Sequence, residues 1–240
     1  MRGRLGLAPV ASAAQQLTGV DRILVTTSRA FDPWPESLPA NVRYVGPQRQ
    51  HAAQFTAPLE SKPPLVVISL STRSAAARLA QRILDALADL PVRALLTLGP
   101  ALQPDQVRPP RNTTITSFVE HSIVLPRASL VITHAGLGTI MAALAHGVPL
   151  LCMPLKADQF ENAARVVALG AGQQLSRHAT SAQLRRATLQ VLTKPHFRRA
   201  AQHLGEALAG EPDADPIAEL EALARGRPAA AQRGLRTLCR

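Results

Sequence analysis

From residue 64 onward the chain alternates short apolar runs with stretches in which apolar residues recur every three or four positions. Leu65 to Leu70 (LVVISL) is a continuous, β-branched apolar run, the pattern of a strand buried on both faces. Ala75 to Leu90 carries Leu79, Ile83, Leu84 and Leu87 at helical spacing. Val92 to Leu98, Thr113 to Phe118, Ser129 to Thr133 and Val148 to Met153 read as four more strands. Leu137 to His146 predicts a helix stopped by Gly147. Asp158 to Leu169 predicts another, opening on an Asp and stopped by Gly170. Thr180 to Leu192, Pro195 to Leu208 and Pro216 to Ala224 predict three further helices. Upstream, RILVTT (22–27) and NVRYV (41–45) read as short strands separated by the turn-rich FDPWPESLPAN, and residues 1–20 as the end of a helix and a loop.

Strands alternating with helices at this spacing predict a Rossmann-like α/β domain over residues 64–224, a parallel sheet with helices on both faces. Residues 47–63 are polar and mixed, a linker by composition. Residues 225–240 (RGRPAAAQRGLRTLCR) hold five Arg and no acid, without periodicity, and read as a basic disordered tail. In sheets of this kind ligands bind at the carboxyl ends of the strands, where helices begin.

Composition narrows the function classes. Hydrophobic residues make up 46% of the 240 and aromatics only 3%, so Leu, Val, Ile and Ala must fill the core. A net charge of +11 is compatible with nucleic acid, an anionic membrane surface or a small anionic ligand. The Arg residues are spread along the chain, and no basic run is interleaved with aromatics. The stacking platform of a single-strand binder is therefore missing, and a nucleic-acid partner is not expected. Two cysteines, Cys152 and Cys239, make no disulfide framework and point to a reducing compartment. No apolar stretch approaches the roughly 20 residues a membrane span needs. The opening MRGRLGLAPVASA mimics a signal peptide, but Gly and Pro break its apolar patch and no long apolar core follows. A cytoplasmic location is expected.

Three motifs at predicted strand ends carry chemistry. In Leu130-Val-Ile-Thr-His-Ala-Gly-Leu-Gly-Thr139 a strand ends at Thr133, then His134 and two glycines lead into a helix. Glycines let backbone N–H groups approach a ligand, and a helix N-terminus offers unpaired N–H donors with a positive dipole. Together they suit a pyrophosphate. His134 and the Thr139 hydroxyl can add hydrogen bonds. In Pro154-Leu-Lys-Ala-Asp-Gln-Phe-Glu-Asn162, the carboxylate of Asp158 and the amide of Gln159 can bind vicinal hydroxyls, as sugar recognition requires. In Ser69-Leu-Ser-Thr72, hydroxyls at the end of the first strand can reach a phosphate. Taken singly, each motif also fits a plain structural role: a βα turn with a packed His and a capping Thr, an Asp that caps its helix, a strand-to-helix cap.

As a set, these residues resemble the C-terminal donor-binding domain of the UDP-glycosyltransferase superfamily, in its bacterial macrolide and antibiotic form. The signature reads Phe118-Val-Glu-His121, His134-Ala-Gly-Leu-Gly-Thr139, Gly147-Val-Pro149 and Asp158-Gln159, in that order and spacing. The resemblance spans about residues 20–224 and implies the C-terminal half of a GT-B fold, with residues 1–46 a remnant of the N-terminal acceptor domain. It also implies roles. Phe118 stacks on the nucleobase, and His121 lies near the ribose. Ser71, Thr72, His134, Gly136, Gly138 and Thr139 hold the phosphates. Asp158 and Gln159 hold the sugar hydroxyls. The implied activity is transfer of a sugar from a UDP- or dTDP-sugar to an acceptor hydroxyl, with inversion and without metal or cofactor. The implied acceptor is a small hydrophobic natural product, lipid or phenolic.

The chain departs from the family pattern at several points. Ala142 stands where plant-type relatives carry a ribose-binding Glu, Glu120 where Pro is usual, and Ala135 where Gly or Cys is common. No residue matches the catalytic His of the N-terminal domain, and His51 in the linker is a poor substitute. Losing a general base typically costs about 10²- to 10⁴-fold. The isolated chain is therefore expected to bind donor weakly and transfer poorly, with an upstream N-terminal domain or a partner chain supplying the rest. Two other readings stay open: a non-catalytic nucleotide-sugar-binding module, and a basic nucleic-acid-binding protein.

Overall fold

All five apolar runs downstream of residue 64 become strands of one parallel sheet, and a sixth strand joins them that the pattern did not announce. The computed structural model describes residues 19–32, 38–47, 62–70, 77–100, 102–210 and 215–226. They fall into two units. The smaller gathers residues 19–29, 38–47 and 215–226. In it β1 (Ile23–Val25) and β2 (Val42–Tyr44) pair in parallel. Arg22 Nε lies 3.1 Å from Glu219 Oε2. The last helix (Pro216–Gly226), which the sequence pattern attaches to the sheet domain, thus groups with the N-terminal strands. Residues 30–32 go the other way. Phe31, from the turn-rich stretch, is 1% exposed and packs in a core cluster of the larger unit with Val67 and Val131. Most of the expected linker, and all but two residues of the expected tail, lie outside the described residues.

The larger unit is built on β3 (Leu65–Ser69), β4 (Arg93–Thr97), β5 (Thr113–Thr116), β6 (Ala128–Thr133), β7 (Leu150–Cys152) and β8 (Gly172–Gln174). Their order is β5-β4-β3-β6-β7-β8, with every neighbouring pair parallel. The chain steps outward in one direction from β3 and in the other from β6, so the order reverses between these two strands. Its helices are α1 (Ala77–Leu87), α2 (His121–Val124), α3 (Leu137–Ala145) and α4 (Gln159–Ala168) between strands, with α5 (Ser181–Thr193) and α6 (Pro195–Gly210) after β8.

Successive strand residues point to opposite faces, and each face has its own core. Val66, Ile68, Leu130, Ile132 and Leu151 pack with α1 and α5 through Ile83, Leu84, Leu87, Leu184 and Val191. Val67, Val131, Leu150 and Cys152 pack with α3, α4 and α6 through Ile140, Leu144, Val166 and Leu204. Burial on both faces explains the unbroken apolar runs. Each fully buried Leu, Ile or Val contributes about 1.5–3 kcal/mol. Burial also pushes the Cys152 thiol up to about 12, leaving it a core residue.

Strand β8 (GQQ) escaped the pattern because it is short and polar and lies at the sheet edge, with Gln174 exposed. What places it is a backbone approach only glycine permits. A Cβ on Gly172 would sit 2.0 Å from the Leu150 carbonyl oxygen of β7. Gly172→Ala is therefore expected to push β8 off its neighbour and lower stability by about 1–3 kcal/mol, measured by urea unfolding. Unchanged stability would show that the edge yields freely.

Candidate active site

Where the strand order reverses, Ser69 and Thr133 are register partners at the carboxyl ends of β3 and β6. From Thr133 the chain runs through His134, Ala135 and Gly136 into α3. The Thr133 hydroxyl oxygen accepts from the Ala135 N–H at 3.3 Å. Ala135 is fully buried with φ +68°, a left-handed conformation that costs a non-glycine residue about 1–2 kcal/mol. The first hydrogen bond of α3 runs from Ile140 N to Gly136 O at 3.1 Å, and Gly136 brings no capping side chain. The amides of Leu137, Gly138 and Thr139 therefore have no acceptor within the helix.

The two glycines differ in why they are glycine. A Cβ on Gly136 would lie 2.7 Å from His134 Nε2, so the imidazole rests against the bare Cα. A Cβ on Gly138 would meet nothing within 4 Å. Packing does not require glycine there, and the residue faces open space on the first turn. Thr139, beside it, is half-buried.

His134 is half-buried, and burial holds its pKa below the ordinary histidine value of 6.5. The Ser69 backbone and the Asp158 charge oppose that shift, and Lys156 adds to it. His134 Nδ1 is buried and has no hydrogen-bond partner within the described residues.

The second motif lies close by and is tied to the first. Asp158 precedes α4, yet its side chain makes no capping bond. It is exposed, and its Oδ2 accepts from Asn162 Nδ2 at 3.0 Å. The same Nδ2 donates to the Ala135 carbonyl at 3.2 Å. Gln159 is 7% exposed, and its Oε1 accepts from the N–H groups of Leu155 (2.9 Å) and Lys156 (3.1 Å). Its side chain therefore presents only donors, where the sequence suggested both donor and acceptor. Asn162 was the residue missed: the motif contained it, and its spacing of four from Asp158 was the available signal.

Of the other expected site residues, His121 opens α2, which packs against α3. Burial lowers its pKa from 6.5. Phe118 follows β5 and is 74% exposed, with its carbonyl accepting from the Thr116 hydroxyl at 3.0 Å. Ser71, Thr72 and His51 lie outside the described residues. Ala142 is half-buried on α3. A separate cavity of about 560 Å³ opens at the ends of β7 and β8, lined by residues including Leu155, Phe160, Arg177 and His178 but by neither His134 nor Asp158. Among the described residues no cluster of His, Cys, Asp or Glu is arranged to hold a metal ion, and no helix is long and apolar enough to cross a membrane.

Comparison with known proteins follows the same lines. The model of the family described as erythromycin biosynthesis protein CIII-like, C-terminal domain, matches residues 81–223. The chain is similar to 4'-demethylrebeccamycin synthase of Lentzea aerocolonigenes, 33% identical over 214 residues that cover 85% of this chain and 50% of that protein. It is similar to NDP-glycosyltransferase YjiC of Bacillus licheniformis, 30% identical over 205 residues, 81% of this chain and 52% of that protein. The crystal structure of CalG4, the calicheamicin glycosyltransferase, superposes with a TM-score of 0.74 at 24% identity, covering 94% of this chain and 59% of that one. That likeness fixes the fold, the C-terminal half of a GT-B architecture. The chain spans about half the length of the curated relatives it matches. These matches do not favour the non-catalytic or nucleic-acid-binding readings.

Two stability measurements test this geometry. Gly136→Ala must displace His134 and is expected to destabilise, whereas Gly138→Ala should leave stability unchanged or raise it by up to about 1 kcal/mol through helix propensity. The histidines set a pH dependence. His121 and His134 titrate lower in the folded chain than the unfolded value of 6.5. The unfolded state thus binds more protons below that pH. Their contribution to stability is complete above 6.5 and is lost as pH falls through the lowered folded values. Urea midpoints should fall with pH across that window, and less steeply in His134→Gln.

Proposed function

The chain belongs to the family of the erythromycin biosynthesis protein CIII-like C-terminal domain, and from that premise we propose that it is the donor-binding half of an inverting glycosyltransferase. A UDP- or dTDP-sugar lies across the crevice at the strand reversal. Its diphosphate meets the free amides of α3, the Thr139 hydroxyl, His134, the backbone of Gly136 and the bare face of Gly138. Ser71 and Thr72, which follow β3 in the sequence, add hydroxyls. Phe118 stacks on the base, with its ring in solvent until a nucleotide covers it. His121 lies toward the ribose. Ala142 offers no carboxylate there, which weakens ribose contact. Asp158 accepts from a sugar hydroxyl and Gln159 donates to one. The observation that carries this reading is the uncapped N-terminus of α3, joined through Asn162 to the exposed carboxylate of Asp158.

In the reaction an acceptor oxygen attacks the anomeric carbon and the bond to the diphosphate breaks, with inversion. The charge appearing on the leaving diphosphate is met by α3, Thr139 and His134. The acceptor proton passes to a base in an N-terminal acceptor domain, on the same polypeptide or on a partner chain. The acceptor is a small hydrophobic compound bearing a hydroxyl, a natural product, lipid or phenolic. The names of the matched family and of the rebeccamycin synthase support an antibiotic-type natural product. The chemistry calls for no cofactor, and the working place is the cytoplasm.

Calorimetry with UDP, dTDP and their glucose esters tests the donor site, and no heat at millimolar ligand would count against it. Gly138→Ala is expected to weaken binding about tenfold or more, the scale of one lost charge-assisted hydrogen bond, while the fold holds. UDP-glucose binding should strengthen as pH falls from neutrality. His134 starts below 6.5 and is raised by the bound diphosphate, so the ring takes up a proton on binding. Heats measured in buffers of different ionisation enthalpy report that proton. Uptake that persists in His134→Gln would assign it elsewhere.

A further inference from the structure

We propose that Asn162 is a positioning residue that locks the diphosphate loop to the sugar-facing carboxylate, an inference that rests on the donor-site reading above. Asn162 is 3% exposed. Its side-chain amide has two hydrogens, and both are committed. One goes to the carbonyl of Ala135, 27 residues away, at 3.2 Å, and the other to Asp158 Oδ2 at 3.0 Å. The Asn162 Oδ1 is 3.5 Å from Arg165 Nη1, and Arg165 Nη2 pairs with Asp32 Oδ1 at 2.9 Å. The carboxamide is therefore held from both ends.

Each bond has a consequence for the site. Ala135 sits at a positive φ between β6 and α3, and Asn162 is the side-chain donor to its carbonyl. With that carbonyl pinned inward, the amides that follow at the start of α3 stay aimed at the crevice. On the other side, one oxygen of Asp158 is occupied, which stops the carboxylate from rotating and leaves Oδ1 as the oxygen for a hydroxyl. An ordinary i,i+4 pair on a helix surface would hold the carboxylate but would not reach a second loop.

The test measures UDP and UDP-glucose affinity, with dTDP and its glucose ester alongside, for the wild-type chain, Asn162→Ala and Asn162→Asp. Asn162→Ala should weaken both UDP and UDP-glucose about tenfold or more. Asn162→Asp is isosteric and sets a new carboxyl against the Asp158 carboxylate and the Ala135 carbonyl. The other charges near this point are Arg165 with Asp32, His134 and Lys156. At pH 8 the variant should bind worse than Asn162→Ala. Near pH 5 the two carboxyls share a proton, one hydrogen bond returns, and binding relative to wild type at the same pH should recover in Asn162→Asp alone. A deficit independent of pH, or wild-type affinity in both variants, overturns the proposal. Should the variants not fold, side-chain amide exchange of Asn162 in the wild-type chain decides: both hydrogens are expected to be protected and to shift when UDP is added, and rapid exchange of either overturns the proposal. Absence of any nucleotide binding by the wild type would bring down the donor-site reading and this inference together. Wild-type binding with unaffected variants would bring down this inference alone.

Discussion

Two parallel strands lie side by side in the middle of this sheet, and the helices that leave them pack on opposite faces. The helix after β3 belongs to the core with Ile83 and Leu87, and the helix after β6 to the core with Ile140 and Leu144. Neither can cover the point between Ser69 and Thr133, because each is drawn down onto its own face by several buried aliphatic side chains. The gap is a consequence of strand order, independent of any ligand. It needs no sequence of its own, and it decides where His134, the start of α3 and the motif after β7 must meet.

This constraint explains why the fold was largely legible in the sequence. Strands covered on both faces must be apolar at every position, so LVVISL and SLVIT announce themselves. Helices with one buried face show their period. The elements that escaped are those whose stability comes from elsewhere. Strand β8 is held by ladder bonds to β7 and by the missing side chain of Gly172, neither of which leaves an apolar trace. Helix α2 has four residues, too few for a period to emerge. The grouping of the last helix with the N-terminal strands is not written in its pattern, since periodicity never says against what an element packs. The same limit applied to Phe31, an aromatic among prolines that reads as a turn and serves as core.

The candidate site was legible in its residue types and illegible in its partners. His134, the two glycines, Thr139, Asp158 and Gln159 could be singled out because their chemistry and spacing are distinctive. Whether Asp158 caps its helix or faces outward could not be read, since both uses place the same residue before the same helix. The answer lies with Asn162, whose amide takes one carboxylate oxygen. The carbonyl of Gln159 folds back on the two N–H groups before it, a local choice that spacing does not encode. The Ser69 backbone that acts on the His134 ring comes from a strand 65 positions earlier in the sequence.

An anion site and a carboxylate set side by side ordinarily work against each other, and this chain keeps them apart. Asp158 is close enough to His134 for its charge to act on the ring, so it also acts on any diphosphate held there. Three features limit the conflict. The amide hydrogen of Asn162 draws off part of the carboxylate charge. Asp158 is exposed, where water screens it. The positive end of α3, with three unbonded amides and a histidine able to take a proton, lies on the other side of that amide. Across a short distance the surface changes from one that favours charge to one that favours neutral hydroxyls. The ligand proposed for it carries a compact anion joined directly to a polyol. A nucleotide alone satisfies the first half and a free sugar the second, while a sugar esterified to a nucleoside diphosphate satisfies both.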